Sequence, residues 1–320
     1  MKKILIMLLS LALAFSCSER VDLPQHETPP HLNDKEQEEN QAPEQKPEEE
    51  NPGDGKEDEK EDGKEEDKDG KEVTLRLCSY NVGLFSKSKA TLGHYSYPEA
   101  AALLTEMNVD VVGLNETDKG NKRTDNHYQA EELAKELGKD WTTYFAYAHN
   151  LAYGNSIVAA PEYKVVKQWE RLLIPKGDGS ENRSSGAVEY EDFVFCVTHL
   201  DHESVEARKK GVEIITQWAL ENYGKDKTHK PVFLVGDMNC ISTEVTIANL
   251  EKNWKLISAK ELTYPSDKPK KCIDYIFVLD NGVEVKAGES HAVTTSVNVD
   301  VSTVSDHCPI YCDVTFIKHN

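Results

Sequence analysis

Short runs of apolar and β-branched residues recur from residue 73 to the end of the chain, separated by polar and turn-forming stretches. Some runs alternate apolar with polar residues, as in the VTLRLC run that begins at Val73, and others are apolar throughout. Both patterns are typical of β-strands, the first with one buried face and the second with two. Strands are predicted over residues 73–80, 109–114, 155–160, 193–200, 231–235, 273–279, 292–301 and 309–316.

Apolar positions at helical spacing predict four helices between these strands, over residues 97–107, 128–137, 205–223 and 243–250. Pro98 stands in the first turn of the first helix, where its missing N–H is tolerated, and Ser204 is placed to cap the third. Helices are interleaved with strands along the chain. This order predicts either two packed sheets with helices outside or an open sheet with helices on both faces.

The N-terminus has the pattern of an export signal. Two lysines follow Met1, and the apolar stretch from Ile4 to Phe15 is too short to remain as a membrane span. The letters AFSC, which end at Cys17, resemble the lipobox of bacterial lipoproteins, whose cysteine becomes the lipidated first residue of the mature chain. We therefore expect a signal peptide over residues 1–17 and an exported lipoprotein held to the membrane by its lipid alone, at the outer membrane, the cell surface or in the periplasm. Plain secretion is the alternative.

Residues 18–72 carry almost no large apolar side chains. Nineteen acidic and seven basic residues stand between Asn33 and Glu72, which gives that stretch a net charge of −12. Such a segment buries too little apolar surface to offset the entropy of ordering, so we expect a disordered acidic linker. Residues 73–320 then form one domain with a single large core and a net charge of −8, out of −20 for the whole chain.

The mildly acidic charge of the domain limits the partners that it can bind. Proteins that hold duplex DNA through many phosphates usually have a basic face. Here the basic residues form only two small groups, at 208–210 and 268–271. Tight nucleic-acid binding is therefore not favoured, although the transient contacts of a nuclease are compatible with this charge. We expect a monomer.

Polar residues cluster where the predicted strands begin and end: Asn81, Asn115, Glu116, His199, Asp237, Asn239, Asp306 and His307. Each alone is as well explained by a turn. Asp274 is different, because it stands inside the apolar run IDYIFV, where a buried carboxylate needs a partner. A histidine is the natural partner, since the carboxylate accepts the imidazole N–H and fixes the tautomer of the ring.

Eight segments occur in an order that resembles the endonuclease/exonuclease/phosphatase family: SYNVG, GLNETD, YGNSIVA, ENRSSGA, VTHLDH, LVGDMN, CIDYIFV and VSDHCPI. They extend from about Leu75 to Asp313, which is nearly the whole predicted domain. The resemblance implies an α+β fold of the DNase I type, a four-layer αββα sandwich with two packed mixed sheets and helices outside. It also implies a metal-dependent phosphoesterase that uses Mg²⁺ or Mn²⁺.

The resemblance assigns roles by position. It implies that Asn81, Glu116 and Asp306 lie at the metal, that Asn155 and Arg183 lie near the substrate, and that the catalytic residues are His307, Asp274, Asp237, Asn239 and His199. Within that set Asp274 and His307 form a dyad, and the base is either His307 or Asp237. A hard divalent ion with oxygen ligands suits an anionic phosphoryl group, and His199 and Asn239 are expected to donate hydrogen bonds to it.

Two departures from the family pattern occur: the first is conservative, and the second removes a cation near the dyad and bears on substrate preference. Asn115 stands where the family often has Gln, and Cys272 stands where related sequences often have Arg. Three classes of phosphorylated substrate are open: nucleic acid, small phosphate esters such as phosphorylated sugars, and phospholipid head groups as in sphingomyelinases. A non-catalytic binding lipoprotein is the alternative from a different functional class.

Overall fold

A computed structural model describes residues 70–86, 93–138 and 140–318. The predicted signal peptide with Cys17 lies outside these residues, as does the predicted acidic linker up to residue 69, and both stay predictions. The first strand begins at Lys71, two residues before the predicted start of the domain, because Lys71 and Glu72 pair with Lys318 and Ile317. In the described parts of the chain no helix combines the length and hydropathy needed to cross a bilayer.

Thirteen strands are formed within the described residues: β1 (Lys71–Asn81), β2 (Val111–Asp118), β3 (Thr142–His149), β4 (Tyr153–Ala159), β5 (Val165–Gln168), β6 (Leu172–Ile174), β7 (Arg183–Tyr190), β8 (Val194–His199), β9 (Val232–Asp237), β10 (Trp254–Leu256), β11 (Asp274–Leu279), β12 (Val285–Ala292) and β13 (Ile310–Lys318). The helices are α1 (Tyr97–Glu106), α2 (Gln129–Leu137), α3 (Val205–Tyr223), α4 (Val245–Leu250) and α5 (Val301–Val304), with short 3-10 turns at Gly83–Phe85 and Lys122–Thr124.

The strands form two mixed sheets. One has the order β12-β13-β1-β2-β4-β3, and the other has the order β10-β11-β9-β8-β7-β5 with β6 also paired to β7. The pairs β1–β2 and β8–β9 are parallel and the other pairs are antiparallel. The two parallel pairs are central, so the polar residues that follow β1, β2, β8 and β9 can meet at one edge.

Three apolar cores hold four layers together. Leu75 and Leu77 of β1 face the second sheet and pack in one core with Val235 of β9, whereas Cys78 and Tyr80 face the opposite way. The outward face of the first sheet is covered by α1 and α2 through residues such as Leu103 and Leu133. The outward face of the second sheet is covered by α3 and α4 through Ile215 and Ile247. The predicted αββα sandwich is therefore confirmed.

One predicted strand is wrong. Residues 293–300 are irregular and Val301–Val304 is the short helix α5, where a strand over 292–301 was predicted. The strand at this sheet edge is β12, which precedes that run and is mostly exposed. Its residues, VKAGESHA, lack the apolar alternation that a half-buried strand shows. Hydrogen bonds to β13, and not side-chain burial, define this edge strand.

Candidate active site

A cleft opens where the carboxyl ends of β1, β2, β8 and β9 meet the start of β11. The sheet register pairs His199 with Asp237 and Asp237 with Asp274, so three predicted site residues lie on adjacent strands. The cleft is lined by Glu116, Tyr153, Glu181, Arg183, His199, His202, Asp237, Asn239, Cys240, Ile241, Glu244, Tyr264, Lys271, Ile273, Asp306 and His307. Seven of the ten predicted site residues are in that lining; Asn81 and Asp274 are buried beside it, and Asn155 lies elsewhere.

Asp274 and His307 form a buried pair. His307 Nδ1 lies 2.9 Å from Asp274 Oδ2, and the same oxygen accepts a hydrogen bond from Thr263 Oγ1 at 2.6 Å. Asp274 is fully buried, and its other oxygen has no hydrogen-bond partner among the described residues. The imidazole N–H is therefore the partner that the carboxylate of an apolar strand requires. The bond leaves His307 Nε2 3.7 Å from Asp237 Oδ2.

The segment that carries His307 is fixed at several points. Ser305 Oγ donates to the carbonyl of Asn81 at 2.6 Å and accepts from the N–H of His307 at 3.2 Å. The N–H of Cys308 donates to the carbonyl of Thr263 at 2.7 Å. His307 is thus tied both to the end of β1 and to the residue that bonds Asp274, so the dyad is positioned before any ligand binds.

Asp237 lies at the centre of the cleft floor. Its carboxylate accepts from Asn81 Nδ2 at 3.1 Å and from the N–H of Asn239 at 2.8 Å. Burial and the charge of Asp274 together raise the pKa of Asp237 to about 7, against the opposing effects of His307 and of the hydrogen bonds from Asn239 and Asn81. Burial alone would lower the pKa of His307, but the charges of Asp274, Asp237 and Asp306 outweigh it and raise this pKa to about 10. The charge of each residue shifts the pKa of the other, so Asp237 and His307 titrate as a coupled pair.

The glycine of the GDMN segment is required by this geometry. Gly236 has a φ of 148°, and a Cβ there would lie 1.8 Å from the carbonyl oxygen of Thr198. Only glycine lets β9 approach β8 this closely at the residue before Asp237. The position of Asp237 relative to His199 depends on that approach.

Glu116 reaches the cleft through an irregularity in β2. The pairing of β2 with β4 shifts register between Leu114 and Thr117, and Glu116 has a φ of 57°. This left-handed backbone is costly for a residue with a side chain and is typical of functional positions. Asn81 Nδ2 donates to Glu116 Oε1 at 3.2 Å. The amide nitrogen of Asn81, and not its oxygen, faces the two carboxylates, so a ligand role for Asn81 needs the amide turned by 180°.

His199 lies between two hydrogen-bond donors. Asn239 Nδ2 is 2.9 Å from His199 Nε2, and Arg183 Nη1 is 3.3 Å from His199 Nδ1. Burial lowers the pKa of His199 well below its usual value, and the neighbouring Arg183, His307 and His202 lower it further. The ring is therefore neutral at neutral pH. A neutral ring carries one proton, so it cannot accept hydrogen bonds from both neighbours, and one of the two contacts is weak.

The sequence model of the endonuclease/exonuclease/phosphatase family matches residues 78–307. This chain belongs to that family. The family's members hydrolyse phosphoric esters, and the protein is a hydrolase of that class. Proteins of the family generally depend on a divalent metal ion. The resemblance drawn from the eight segments is confirmed.

Solved structures of the endonuclease/exonuclease/phosphatase family share the fold. A family protein from Bacteroides thetaiotaomicron is 17% identical with a TM-score of 0.62, over 77% of this chain and 99% of that one. A mannosyl-6-phosphatase of Bacteroides thetaiotaomicron VPI-5482 is 18% identical with a TM-score of 0.59, over 75% and 99%. ANGEL2, a 2′,3′-cyclic phosphatase, is 12% identical with a TM-score of 0.58, over 76% and 95%. No curated protein sequence matches this chain.

The structure gives Asn155 a different place from the one that the family resemblance implied. Asn155 is buried; its Oδ1 accepts from Asn115 Nδ2 at 2.9 Å and its Nδ2 donates to the carbonyl of Ser184 at 3.0 Å. Asn115 in turn donates to the carbonyl of Thr198 and accepts from the N–H of Asp237. Asn155 therefore does not face the cleft, and its bonds orient Asn115, which holds Asp237.

The cleft fits the divalent ion on which this family generally depends. Five carboxylates line it, against the cations of Arg183 and Lys271. Neither Glu116 nor Asp306 forms an ion pair within the described residues. An enzyme that binds anionic esters needs positive charge beside these carboxylates, and a divalent ion would supply it. Asp237, Asp274 and His307 also lie close enough to bind an ion. In that group Asp274 Oδ2 already contacts His307 Nδ1 and Thr263 Oγ1, so this oxygen has partners without an ion.

Sequence reasoning missed nine of the residues that line the cleft, and five of them are of interest for binding: Tyr153, Glu181, His202, Tyr264 and Lys271. Three of them stand inside segments that were singled out, Tyr153 in YGNSIVA, Glu181 in ENRSSGA and His202 in VTHLDH, so those segments contained a signal. The ring of Tyr264 lies 4.8 Å from that of His307. Cys272 stands where related sequences often have Arg, but Lys271, one residue earlier, also lines the cleft and supplies a cation there.

Proposed function

We propose that this protein is a divalent-metal-dependent phosphoesterase that hydrolyses its substrate by attack of water on phosphorus. The observation that carries the proposal is the alignment of three buried groups, in which Asp274 Oδ2 lies 2.9 Å from His307 Nδ1 and His307 Nε2 lies 3.7 Å from Asp237 Oδ2. This array ends in a cleft whose remaining carboxylates have oxygen atoms suited to Mg²⁺ or Mn²⁺.

In this proposal Glu116 and Asp306 hold the ion, and Asn81 supports them. When bound, the ion supplies positive charge to the phosphoryl oxygens and the leaving oxygen. Mg²⁺ usually takes only one or two carboxylates and keeps several waters, which agrees with this small ligand set.

The chain's own groups then move the proton and stabilise the phosphoryl oxygens. As water attacks phosphorus it gives its proton to the Asp237–His307 pair, and Asp274 holds His307 in the required orientation. The bond from phosphorus to the leaving oxygen breaks in the same displacement, and that oxygen takes a proton from solvent and leaves as the alcohol. Asn239 and His199 donate hydrogen bonds to phosphoryl oxygens as charge develops. Arg183 can only donate, so His199 that accepts from it at Nδ1 carries its proton on Nε2, the nitrogen that donates to a phosphoryl oxygen.

We propose small phosphate esters as substrates in preference to long nucleic acids. The domain charge of −8 and the acidic lining of the cleft speak against a polyanion. One structural relative has a name that fits a sugar phosphate, a mannosyl-6-phosphatase. Export through a lipid anchor at Cys17 is part of the proposal, supported by the signal pattern alone.

The test is a panel assay with and without Mg²⁺ or Mn²⁺, with EDTA as the control. The panel contains plasmid DNA, RNA, sphingomyelin, bis-p-nitrophenyl phosphate, p-nitrophenyl phosphate and sugar phosphates. We expect metal-dependent release of phosphate or p-nitrophenol, and a loss of about a hundredfold or more in His307→Ala. Release from none of these substrates, or normal turnover in a folded His307→Ala variant, refutes the proposal.

A further inference from the structure

Glu181, Arg183 and His202 form a cluster on one wall of the cleft, next to His199. Arg183 Nη1 lies 3.1 Å from Glu181 Oε1 and 3.3 Å from His199 Nδ1, and Arg183 Nη2 lies 3.1 Å from His202 Nδ1. When His199 and Asn239 bind the phosphoryl oxygens of an ester, the group attached to phosphorus can therefore extend over these three side chains. None of the proton-transfer steps proposed above uses Glu181 or His202.

Arg183 sets the hydrogen-bonding pattern of the cluster. Its side chain is 5% exposed, and a guanidinium can only donate, so Nδ1 of His202 is the acceptor. A ring that accepts at Nδ1 carries its proton on Nε2. That side chain is 53% exposed, and Nε2 lies 3.6 Å from Glu203, which is too far for a hydrogen bond. His202 thus offers an N–H donor to a ligand in the cleft.

Glu181 offers the complementary acceptor. Its Oε1 is bound to Arg183, and no described residue donates to its Oε2. The side chain is 30% exposed and lines the cleft, so Oε2 is accessible to a ligand. Glu181 therefore presents an acceptor and His202 a donor on the same wall of the cleft, each held by Arg183.

The charge of the cluster decides which ligand it suits. The cation of Arg183 is already balanced by Glu181, and Glu203 lies beside His202. A second phosphate, such as the next one along a nucleic-acid chain, meets no net positive charge here and is repelled by the carboxylates. Hydroxyl groups both donate and accept, so they can bind to Glu181 and His202 at once without bringing in charge.

We propose that Glu181 and His202 bind hydroxyl groups of the substrate's leaving group, so that the protein acts on the phosphate esters of a sugar or other polyol. Arg183 orients both residues. This inference rests on the proposed phosphoesterase function, and it adds the part of the substrate that lies beyond the phosphorus.

The experiment compares substrates with and without hydroxyl groups. The kcat/KM is measured for a set of hexose and pentose phosphates and for p-nitrophenyl phosphate, whose leaving group has no free hydroxyl. The variants are Glu181→Gln, which puts a donor beside the retained oxygen, and His202→Asn, which removes the Nε2 donor. Glu206→Gln, an exposed carboxylate on α3 that pairs with Lys209, is the matched control. Thermal unfolding is measured for each variant.

We expect the wild-type protein to prefer at least one sugar phosphate over p-nitrophenyl phosphate. In both cleft variants the ratio of kcat/KM for that sugar phosphate to kcat/KM for p-nitrophenyl phosphate falls about tenfold or more, and in Glu206→Gln the ratio is unchanged. An equal loss on both substrates in the two cleft variants overturns the inference. The inference is also overturned if the wild-type protein cleaves p-nitrophenyl phosphate and cleaves no sugar phosphate faster than that. The proposed phosphoesterase function stands in that case. Absence of metal-dependent hydrolysis of every ester overturns the proposed function itself.

Discussion

Replacing Asp274 by Asn tests the electrostatic basis of the site. The amide has nearly the shape of the carboxylate and can still accept from His307 Nδ1 and Thr263 Oγ1, at 2.9 and 2.6 Å in the native protein, but it has no charge. Two unit charges about 4 Å apart interact by about 4 kcal/mol at an effective dielectric constant of 20. That energy corresponds to about three pKa units. Burial opposes protonation of His307, so the loss of this charge removes the largest of the effects that raise its pKa to about 10.

We therefore expect the pKa of His307 in the metal-free Asp274→Asn variant to fall to about 7. The measurement is the pH titration of the imidazole carbon-bound protons by NMR, with His307→Asn to assign the signal. Thr263→Val is the matched control, because it removes the other hydrogen bond to the same oxygen and keeps the charge; there the pKa of His307 stays within about one unit of the native value.

The same variant gives a kinetic result. The amide of the variant offers a donor as well as an acceptor, so it no longer fixes the tautomer of His307. We therefore expect kcat to fall by about 10² to 10⁴ while the protein stays folded. A fall of less than one unit in the pKa of His307 contradicts the electrostatic reasoning, whatever happens to kcat. An unchanged kcat with the expected pKa shift contradicts the catalytic role of the dyad and leaves the electrostatics intact.

Three further predictions follow from other contacts of the site. Glu116→Gln weakens Mg²⁺ binding about tenfold or more, measured by titration calorimetry, without lowering the melting temperature. Asn115→Leu leaves three buried polar partners unpaired and costs about 3 to 5 kcal/mol in urea unfolding, whereas Asn249→Leu, at a partly exposed site, costs under about 0.5 kcal/mol. Burial raises the pKa of Asp201, but hydrogen bonds from Ser204, Ser180 and Glu203 outweigh it and hold this pKa below its usual value. Asp201→Asn therefore destabilises the protein by about 1 to 2 kcal/mol at neutral pH, and the difference from wild type shrinks as the pH falls below about 4; a difference independent of pH contradicts this.

The sequence predicted the strands that are buried on both faces and failed at the edges and at strands of small residues. The run that forms β9 is apolar throughout and was found, whereas β7, RSSGAVEY, begins with polar and small residues and was missed. Small residues are needed in β7 because the other sheet lies close to it: a Cβ on Gly186 would lie 2.5 Å from the ring of Tyr144. Such a requirement comes from tertiary packing, and no local apolar period reports it.

The candidate site divides in the same way. Asp274 was recognised from its own strand, because a carboxylate in an apolar run needs a partner wherever the chain folds. Glu181 and His202 were missed although their segments were noted, since each is an ordinary loop residue until Arg183 brings the two together. Asn155 was given a substrate role by its segment, but its side chain bonds Asn115 and Ser184. The types and order of the residues predict which segments meet. Only the packed structure shows whether each side chain faces the cleft or the protein interior.

The buried amides connect the packing of the two sheets to the chemistry of the cleft. Asn115 belongs to β2 of the first sheet, yet it binds the carbonyl of Thr198 and the N–H of Asp237, which belong to the second sheet. Asn81 of β1 also crosses to the carboxylate of Asp237. Asp237 is therefore held by two side chains of the opposite sheet, and its distance from His307 is set by how the sheets close. A small shift between the sheets breaks these bonds before it exposes the apolar core, so activity should be lost at lower denaturant concentrations than the bulk of the secondary structure.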